Sequence, residues 1–265
     1  MLVEGAHAEA VMGTVVSISW WSDADHAGAC REAVATACRR LHDTDRRFST
    51  WIPDSPMNRV RRGELKPADD PLIAGVLDRC AELREVSAGW FDPWAGPGGV
   101  DPTGMVKGWA AELACGDIAE GGASAALVNA GGDIATHGAP PADPGATGPP
   151  GWRVGIRHPW RPDALAGVVF LPPGGTVATS GVYERGPHLW EPGTGAPAPA
   201  AASATVCGPS LTVADALATA LAVGRDEVLT VLEAGGEYEG WLIGPDGSET
   251  GTPGFPWVPP VPTEP

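Results

Sequence analysis

The chain has 265 residues and a formal net charge of −16, and it is rich in glycine (37) and proline (28). An acidic chain of this kind is a poor candidate for a nucleic-acid-binding protein, because phosphate contacts need clustered Lys and Arg. No apolar run approaches the ~20 residues of a membrane span. The 43% apolar fraction and 11 tryptophans argue against wholesale disorder, and the length suits one large domain or two small ones.

The cysteines and the N-terminal residues indicate the cellular compartment in which the protein is expected. The chain has five cysteines without CxxC spacing, so neither a zinc ribbon nor a thioredoxin-type site is predicted. Four of them lie in helix-like segments and are expected to be buried free thiols: Cys30, Cys38, Cys80 and Cys115. The first residues lack a basic segment followed by an apolar one. The chain as given is therefore expected to be cytoplasmic, or periplasmic or otherwise extracytoplasmic if a signal peptide has been removed.

Hydrophobic periodicity predicts the elements in chain order. An initial strand over 11–21 is rich in β-branched and aromatic residues. The predicted helices are 25–47, 71–86, 105–119, 212–223 and 226–234, with Thr212 as the N-cap of the fourth. The further predicted strands are 126–129, 152–157, 167–171, 176–178 and 237–243. Helices and strands alternate irregularly and many strands look antiparallel, which indicates the α+β class.

Glycine and proline mark the predicted domain limits. Residues 1–10 are interpreted as an N-terminal extension and residues 11–250 as one domain. Within the domain, residues 139–151 form a Gly/Pro-rich surface loop. Residues 251–265 form a Pro-rich tail that is expected to be extended and poorly ordered.

One pair of polar residues suggests a metal site. Asp215 and Thr219 are four residues apart on a predicted helix, so their side chains share one face. A carboxylate and a hydroxyl oxygen are hard ligands that suit Mg²⁺. The alternative is that Asp215 is an acid in the first helical turn, favoured by the helix dipole.

Other candidate residues each allow two interpretations. Gly131 and Gly132 follow a short strand, where they either let the backbone approach a ligand or form a plain turn. Lys107, one of two lysines, lies in a segment without the P-loop pattern and is either functional or simply solvated. His188 lies in a loop, where it is either a surface residue or a functional one.

Short motifs occur along the chain in a fixed order. They are MGT (12–14), FSTW…DSPMNRV (48–60), GWFDP (89–93), DPTGMVKG (101–108), NAGGD (129–133), ATSGVYER (178–185), HLWEPGTG (188–195) and ADALATAL (214–221). Together they resemble the FAD:protein FMN transferase family, the ApbE-type flavin transferases, from residue 11 to about residue 243. The resemblance implies a single domain of mixed, largely antiparallel sheets flanked by helices. It also implies an enzyme that cleaves FAD with Mg²⁺, attaches FMN through a phosphoester to a Thr or Ser of a partner flavoprotein, and releases AMP.

The resemblance also implies roles for individual residues. The implied FAD-binding residues are Met12, Trp51, Trp90, Phe91, Asp92, Asp101, Lys107, Gly131, Gly132 and Trp190. Met12 would pack on the isoalloxazine ring and Trp51 would stack on the flavin nucleotide, although both residue types are also typical of a core. The implied metal ligands are the carbonyl of Gly104 and the side chains of Asp215 and Thr219. The implied general base is His188, with Asp133 as the second candidate.

The chain departs from the family pattern in two places. Glu191 replaces the usual Asp of the HxxDPxTG motif, and the segment between Arg185 and His188 is shortened to Gly-Pro. The shortening bears on the groove that would hold the acceptor peptide. Two alternatives to a transferase therefore stay open: an FAD pyrophosphatase that yields FMN and AMP, and a non-catalytic flavin-binding protein.

Overall fold

The computed structural model describes residues 1–142, 148–181 and 189–258. Its central element is a long antiparallel sheet. Eight strands form this main sheet: β1 (Leu2–Val11), β2 (Thr14–Asp23), β3 (Ala125–Ala130), β4 (Asp133–Gly138), β7 (Thr176–Ser180), β8 (Ser203–Gly208), β9 (Glu239–Ile243) and β10 (Glu249–Gly251). They lie in the order β1-β2-β3-β4-β7-β8-β9-β10, and all neighbours are antiparallel. A separate hairpin consists of β5 (Trp152–His158) and β6 (Arg161–Leu171).

Helices cover one face of the main sheet. In the described part of the chain they are α1 (Ala27–Phe48), α2 (Pro56–Arg61), α3 (Pro71–Val86), α4 (Thr103–Glu120), α5 (Leu211–Gly224) and α6 (Asp226–Gly235). α4 packs on α1, α5 and the strands β3 and β4, and α5 packs on β7 and β8. Nearly every residue of α5 is buried, so this helix is the centre of the larger core. None of these described helices is long and apolar enough to cross a bilayer.

The β5–β6 hairpin covers the opposite face with a smaller core. Trp152, Val169 and Leu171 of the hairpin are buried in the same cluster as Trp241 of β9. The molecule thus has three layers, namely helices, the main sheet and the hairpin. This arrangement confirms the α+β prediction with its largely antiparallel sheets.

A partly buried acid of α4 fixes the start of α5. Glu112 of α4 accepts hydrogen bonds from the backbone N–H of Leu211 (3.2 Å) and of Thr212 (3.0 Å). α5 starts one residue before the predicted helix, and Ser210 rather than Thr212 is its N-cap. The prediction for Thr212 was wrong because a carboxylate from another helix takes up the N–H groups that a capping hydroxyl would otherwise satisfy.

Both ends of the described chain pack against the rest of the fold more closely than the sequence predicts. Residues 1–10 do not lie outside the sheet, because β1 pairs with β2 along its whole length, from Leu2 opposite Asp23 to Val11 opposite Thr14. At the other end Phe255 is buried, and the N–H of Phe170 donates to the carbonyl of Pro256 (2.9 Å). The tail up to residue 258 therefore packs on β6 because it has aromatic surface to bury. Residues 259–265 lie outside the described residues.

The cysteine prediction is confirmed. Cys30, Cys38, Cys80 and Cys115 lie in helices as buried free thiols, and Cys207 of β8 is also buried and free.

Candidate functional site

Two tight turns meet at one end of the main sheet. Met12 and Gly13 join β1 to β2 with φ of 54° and 69°, and Gly131 and Gly132 join β3 to β4 with φ of 63° and 101°. Two successive positive φ angles are the signature of a type I′ hairpin turn. Since β2 pairs with β3, the two turns lie side by side.

Gly131 has a steric reason to be glycine. A Cβ atom at this position would lie 2.8 Å from Oγ1 of Thr14, closer than side chains tolerate. The absence of a side chain lets the second turn lie against the first. Gly132 has a different role, since its N–H donates to Oδ1 of Asn129 (2.8 Å) within its own turn. The N–H of Gly132 is therefore engaged within the turn.

A cavity of about 290 Å³ lies beside these turns. The start of α4, one face of α5, the end of β7 and the segment after α3 complete its wall. The predicted site residues on this wall are Trp90, Phe91, Asp92, Asp101, Gly104, Lys107, Gly131, Trp190, Asp215 and Thr219. Residues far apart in the sequence are thus brought to one place.

Three oxygen donors of different kinds come together where α4 crosses α5. Oγ1 of Thr219 lies 3.4 Å from the carbonyl oxygen of Gly104. Asp215 lies one turn earlier on α5, is 5% exposed, and accepts a hydrogen bond from the N–H of Gly108 through Oδ2 (2.8 Å). The crossing is close because Gly108 has no side chain; a Cβ there would be 2.7 Å from Cβ of Asp215.

This donor set fits a magnesium ion. A carboxylate, a hydroxyl and a carbonyl are all hard oxygen ligands, and Mg²⁺ commonly takes few protein ligands and completes its shell with water and phosphate. All three groups belong to residues on the cavity wall, where a substrate phosphate would have access to the same ion.

A buried ion pair connects the helix layer to the sheet beneath the cavity. Nζ of Lys107 pairs with Oδ2 of Asp133, whose side chain is fully buried. Oδ1 of the same carboxylate accepts from the N–H of Thr179 (3.1 Å). Lys107 lies on the cavity wall and Asp133 lies behind it. The carboxylate thus holds the lysine in place and does not itself face the cavity.

The aromatic residues after α3 form another part of the wall. Phe91 is 2% exposed, and its N–H donates to Oγ of Ser87 (2.9 Å). The adjacent Trp90 packs its ring against Gly224, where a side chain would have no room. Asp92 does not offer a free carboxylate, because Arg84 pairs with it at 3.1 Å. The sequence analysis did not find this partner, because nothing in the sequence distinguishes Arg84 from Arg79, the other arginine of α3.

Asp101 and Trp190 occupy other parts of the wall. Asp101 accepts from the N–H of Thr103 (3.0 Å) and so fixes the first turn of α4. Trp190 packs against Gly96, which also lines the cavity. The wall also includes Thr103, Thr179, Ser180 and Val223, which the sequence did not single out as ligands. Of these, Thr179 and Ser180 lie in the ATSGVYER motif, which was the signal available for them.

In the described part of the chain, four predicted residues do not line the cavity: Met12, Trp51, Gly132 and Asp133. Met12 is partly buried against the larger core, and its N–H donates to Oδ2 of Asp45 (3.3 Å). Trp51 lies before α2 with its side chain 91% exposed. His188 lies outside the described residues, so its predicted role as base stays a prediction.

The overall fold has clear counterparts among solved structures. The flavin transferase ApbE from Vibrio cholerae superimposes with a TM-score of 0.78 at 20% identity, covering 96% of this chain and 99% of that one. The Pseudomonas stutzeri flavinyl transferase ApbE in its apo form gives 0.74 at 20% identity, covering 95% and 96%. The Thermotoga maritima ApbE protein gives 0.74 at 21% identity, covering 95% and 98%. The fold is therefore that of the flavin transferases.

Sequence comparison identifies the family. The model of the ApbE family matches residues 12–99 and 98–241, and the chain belongs to that family. The FAD:protein FMN transferase of Rhodobacter capsulatus is 34% identical over 139 residues. That match covers 48% of this chain and 24% of the relative, so it spans about a quarter of the relative's length.

Proposed function

We propose that the protein cleaves FAD and transfers FMN to a Thr or Ser hydroxyl of a partner flavoprotein, with release of AMP. The observation that carries this proposal is the convergence of Gly104, Asp215 and Thr219 with Lys107 on one cavity of an ApbE-family chain. The name of the Rhodobacter capsulatus relative supports the same activity.

Charge explains why this cavity would need a cation to hold FAD. Asp101 and Asp215 lie on the wall, and the whole chain carries a net charge of −16. The pyrophosphate of FAD would be repelled by these carboxylates unless positive charge offsets them. Lys107 and the N-terminal end of the α4 dipole supply part of that charge.

A magnesium ion would supply the rest. Its ligands would be the carbonyl of Gly104, the carboxylate of Asp215 and the hydroxyl of Thr219. When bound, it would neutralise phosphate charge and act as a Lewis acid in phosphoryl transfer. The hydrogen bond from Gly108 to Asp215 would hold the carboxylate in position for this role.

The proposed reaction is a substitution at the phosphorus on the FMN side. The acceptor oxygen forms a bond to this phosphorus, and the phosphorus–oxygen bond to the AMP phosphate breaks. AMP leaves with the bridging oxygen, and the hydroxyl proton passes to a base. We propose His188 as this base, since a neutral imidazole can accept a proton near pH 7.

Lys107 would hold the phosphates, and Asp133 would hold Lys107. A carboxylate that is fully buried and paired with a lysine is a poor proton acceptor for a substrate, because it faces neither solvent nor the cavity. We therefore propose Asp133 as a positioning residue rather than the base.

The flavin end of FAD would contact aromatic residues. Trp90 and Trp190 offer ring surface on the cavity wall. Trp51 offers an exposed indole, which can stack on a planar ring system. Met12 would contact the flavin from the β1–β2 turn, where its neighbour Gly13 lines the cavity.

An assay of FAD products tests the proposal. The protein is incubated with FAD and Mg²⁺, with or without a recombinant flavoprotein domain that presents a flavinylation threonine. The proposal expects AMP release that depends on this domain and stops when a chelator is added. Rapid release of free FMN and AMP without the domain would support a pyrophosphatase instead. FAD that stays intact in every mixture would overturn both enzyme activities.

A further inference from the structure

A second cluster of polar side chains lies between β1 and α1, away from the wall of the FAD cavity. It consists of His7 and Glu9 on the strand and Cys38 on the helix. One potential ligand atom from each, an imidazole nitrogen, a carboxylate oxygen and the thiol sulfur, lies within 4.8 Å of both others. None of these residues contributes to the wall of the FAD cavity.

Elementary geometry explains why the three side chains meet. Residues two apart on a strand point to the same face, so His7 and Glu9 both face α1. The edge strand β1 lies along α1, which presents Cys38 and, one turn later, His42. A cavity whose lining includes His7, Glu9 and Cys38 opens at this junction.

The contact between Glu9 and His42 resembles the outer-shell contact of a metal-bound carboxylate. Oε2 of Glu9 lies 2.9 Å from Nε2 of His7, and Oε1 lies 2.9 Å from Nε2 of His42. His42, which is not one of the three clustered residues, thus contacts one oxygen of the Glu9 carboxylate. Metal ligands typically have such a partner, which fixes their orientation.

We propose that His7, Glu9 and Cys38 form a zinc site that joins β1 to α1, with His42 orienting the carboxylate. Nitrogen, sulfur and oxygen donors together suit Zn²⁺, and three protein ligands leave the fourth tetrahedral position to water. Cys38 would bind as the thiolate and release its proton to solvent when the metal enters. The imidazole of His7 would bind through an unprotonated nitrogen.

The exposure of the cluster is consistent with metal entry from solvent. The side chains of His7 and His42 are each 42% exposed and that of Glu9 is 26% exposed, whereas Cys38 is buried beneath them. An ion could therefore reach the thiol from the surface without any rearrangement of the core. The alternative is a network of hydrogen bonds that fastens the strand to the helix without any metal.

Cobalt absorption distinguishes these two possibilities. The full chain is freed of metal with a chelator, exchanged into buffer and titrated with Co²⁺ as the spectroscopic probe. We expect a thiolate-to-cobalt charge-transfer band that saturates at one ion per chain and is abolished by Zn²⁺, which binds such sites more tightly than Co²⁺. A wild-type titration without this band would overturn the proposal.

Matched variants identify the ligands. Cys38→Ser should lose the band, and Cys80→Ser, which alters another buried helical cysteine, should keep it. Asp215→Asn should also keep the band, because its carboxylate belongs to the FAD cavity. A band that persists in Cys38→Ser would overturn the proposal.

The two histidines should behave differently. Loss of an outer-shell partner commonly weakens binding by about 10–100-fold, so His42→Gln should keep the band with affinity reduced by that factor. His7→Gln removes a direct ligand at an exposed position, where misfolding is not expected, and should weaken Zn²⁺ binding more than His42→Gln does. Zn²⁺ should raise the Tm of the wild type and not of His7→Gln, since only a ligand that binds the folded state stabilises it. Equal Zn²⁺ affinity of His7→Gln and the wild type would contradict the assignment.

Discussion

Lys107 and Asp133 form an ion pair that connects helix α4 to strand β4, with the carboxylate fully buried and the lysine side chain 18% exposed. The pair couples the helix layer to the sheet directly behind the cavity that we propose for FAD. It also places one of the two lysines of the chain where a phosphate would be held.

Removal of the lysine should destabilise the protein as well as weaken FAD binding. Lys107→Met leaves the carboxylate of Asp133 buried without this cation, and loss of one partner of a buried ion pair typically costs about 3–5 kcal/mol. Lys66→Met changes the other lysine, which is exposed, and should shift stability by less than about 0.5 kcal/mol. Urea unfolding of both variants measures the difference. Equal stability of Lys107→Met and the wild type would contradict a structural role for the pair.

The close crossing of α4 and α5 can be tested with two glycines of one helix. An added methyl group in Gly108→Ala would lie 2.7 Å from both Cβ of Asp215 and the carbonyl oxygen of Leu211. Overpacking of this kind typically costs about 1–3 kcal/mol. Gly116→Ala meets no atom within 4 Å and should gain about 0.5–1 kcal/mol from helix propensity. Denaturation midpoints that move in the same direction in both variants would refute this account of the crossing.

The proposed metal ligands should affect magnesium dependence. Asp215→Asn and Thr219→Val each remove or weaken one oxygen donor, so both should require a higher Mg²⁺ concentration for half-maximal FAD cleavage. We expect the larger effect for Asp215→Asn, because it removes a negative charge next to the cation. Ser180→Ala changes another hydroxyl on the wall and should leave the Mg²⁺ requirement unchanged. The measurement is AMP release as a function of Mg²⁺ concentration, and an unaltered requirement in Asp215→Asn would exclude this site.

Buried thiols should make the fold sensitive to alkali. Burial, with a smaller effect from the charge of Asp101, raises the pKa of Cys80 from its ordinary value of 9.0 to about 12. The unfolded chain therefore loses this proton first as the pH rises, and the folded state loses up to about 1.4 kcal/mol per pH unit between those two values. Cys80→Ala should show a shallower decline of unfolding free energy between pH 9 and pH 11. A decline as steep as that of the wild type would mean that Cys80 does not contribute.

The elements with strong periodicity were predictable from the sequence. The predicted helix over 212–223 corresponds to α5, Leu211–Gly224, because its apolar residues and the glycine at its end leave little ambiguity. Strand β1 was missed, because Gly5, Ala6, Ala8 and Ala10 have low strand propensity and little apolar contrast. The strand forms because β2 offers a full-length partner, which is a property of the fold rather than of the local sequence.

The sequence predicted many of the residues that line the cavity, but it did not predict how they are arranged in space. The order of the motifs identified Gly104, Lys107 and Asp215, and the structure places all three on one cavity. The burial of Asp133 behind Lys107 was not predictable, because it depends on the packing of α4 against β4. The cluster of His7, Glu9 and Cys38 was not predictable either. His7 and Glu9 share a face only because residues 2–11 form a strand, and the sequence analysis did not predict that strand.

Mass spectrometry of an acceptor domain tests the central claim most directly. A flavoprotein domain with a flavinylation threonine is incubated with the protein, FAD and Mg²⁺, next to a Thr→Ala version of the same domain and to the Asp215→Asn enzyme. The account predicts that the threonine domain gains the mass of FMN less one water, with one AMP released per modification, and that neither control gains it. An unmodified threonine domain in a mixture where free FMN and AMP accumulate would contradict the transferase activity.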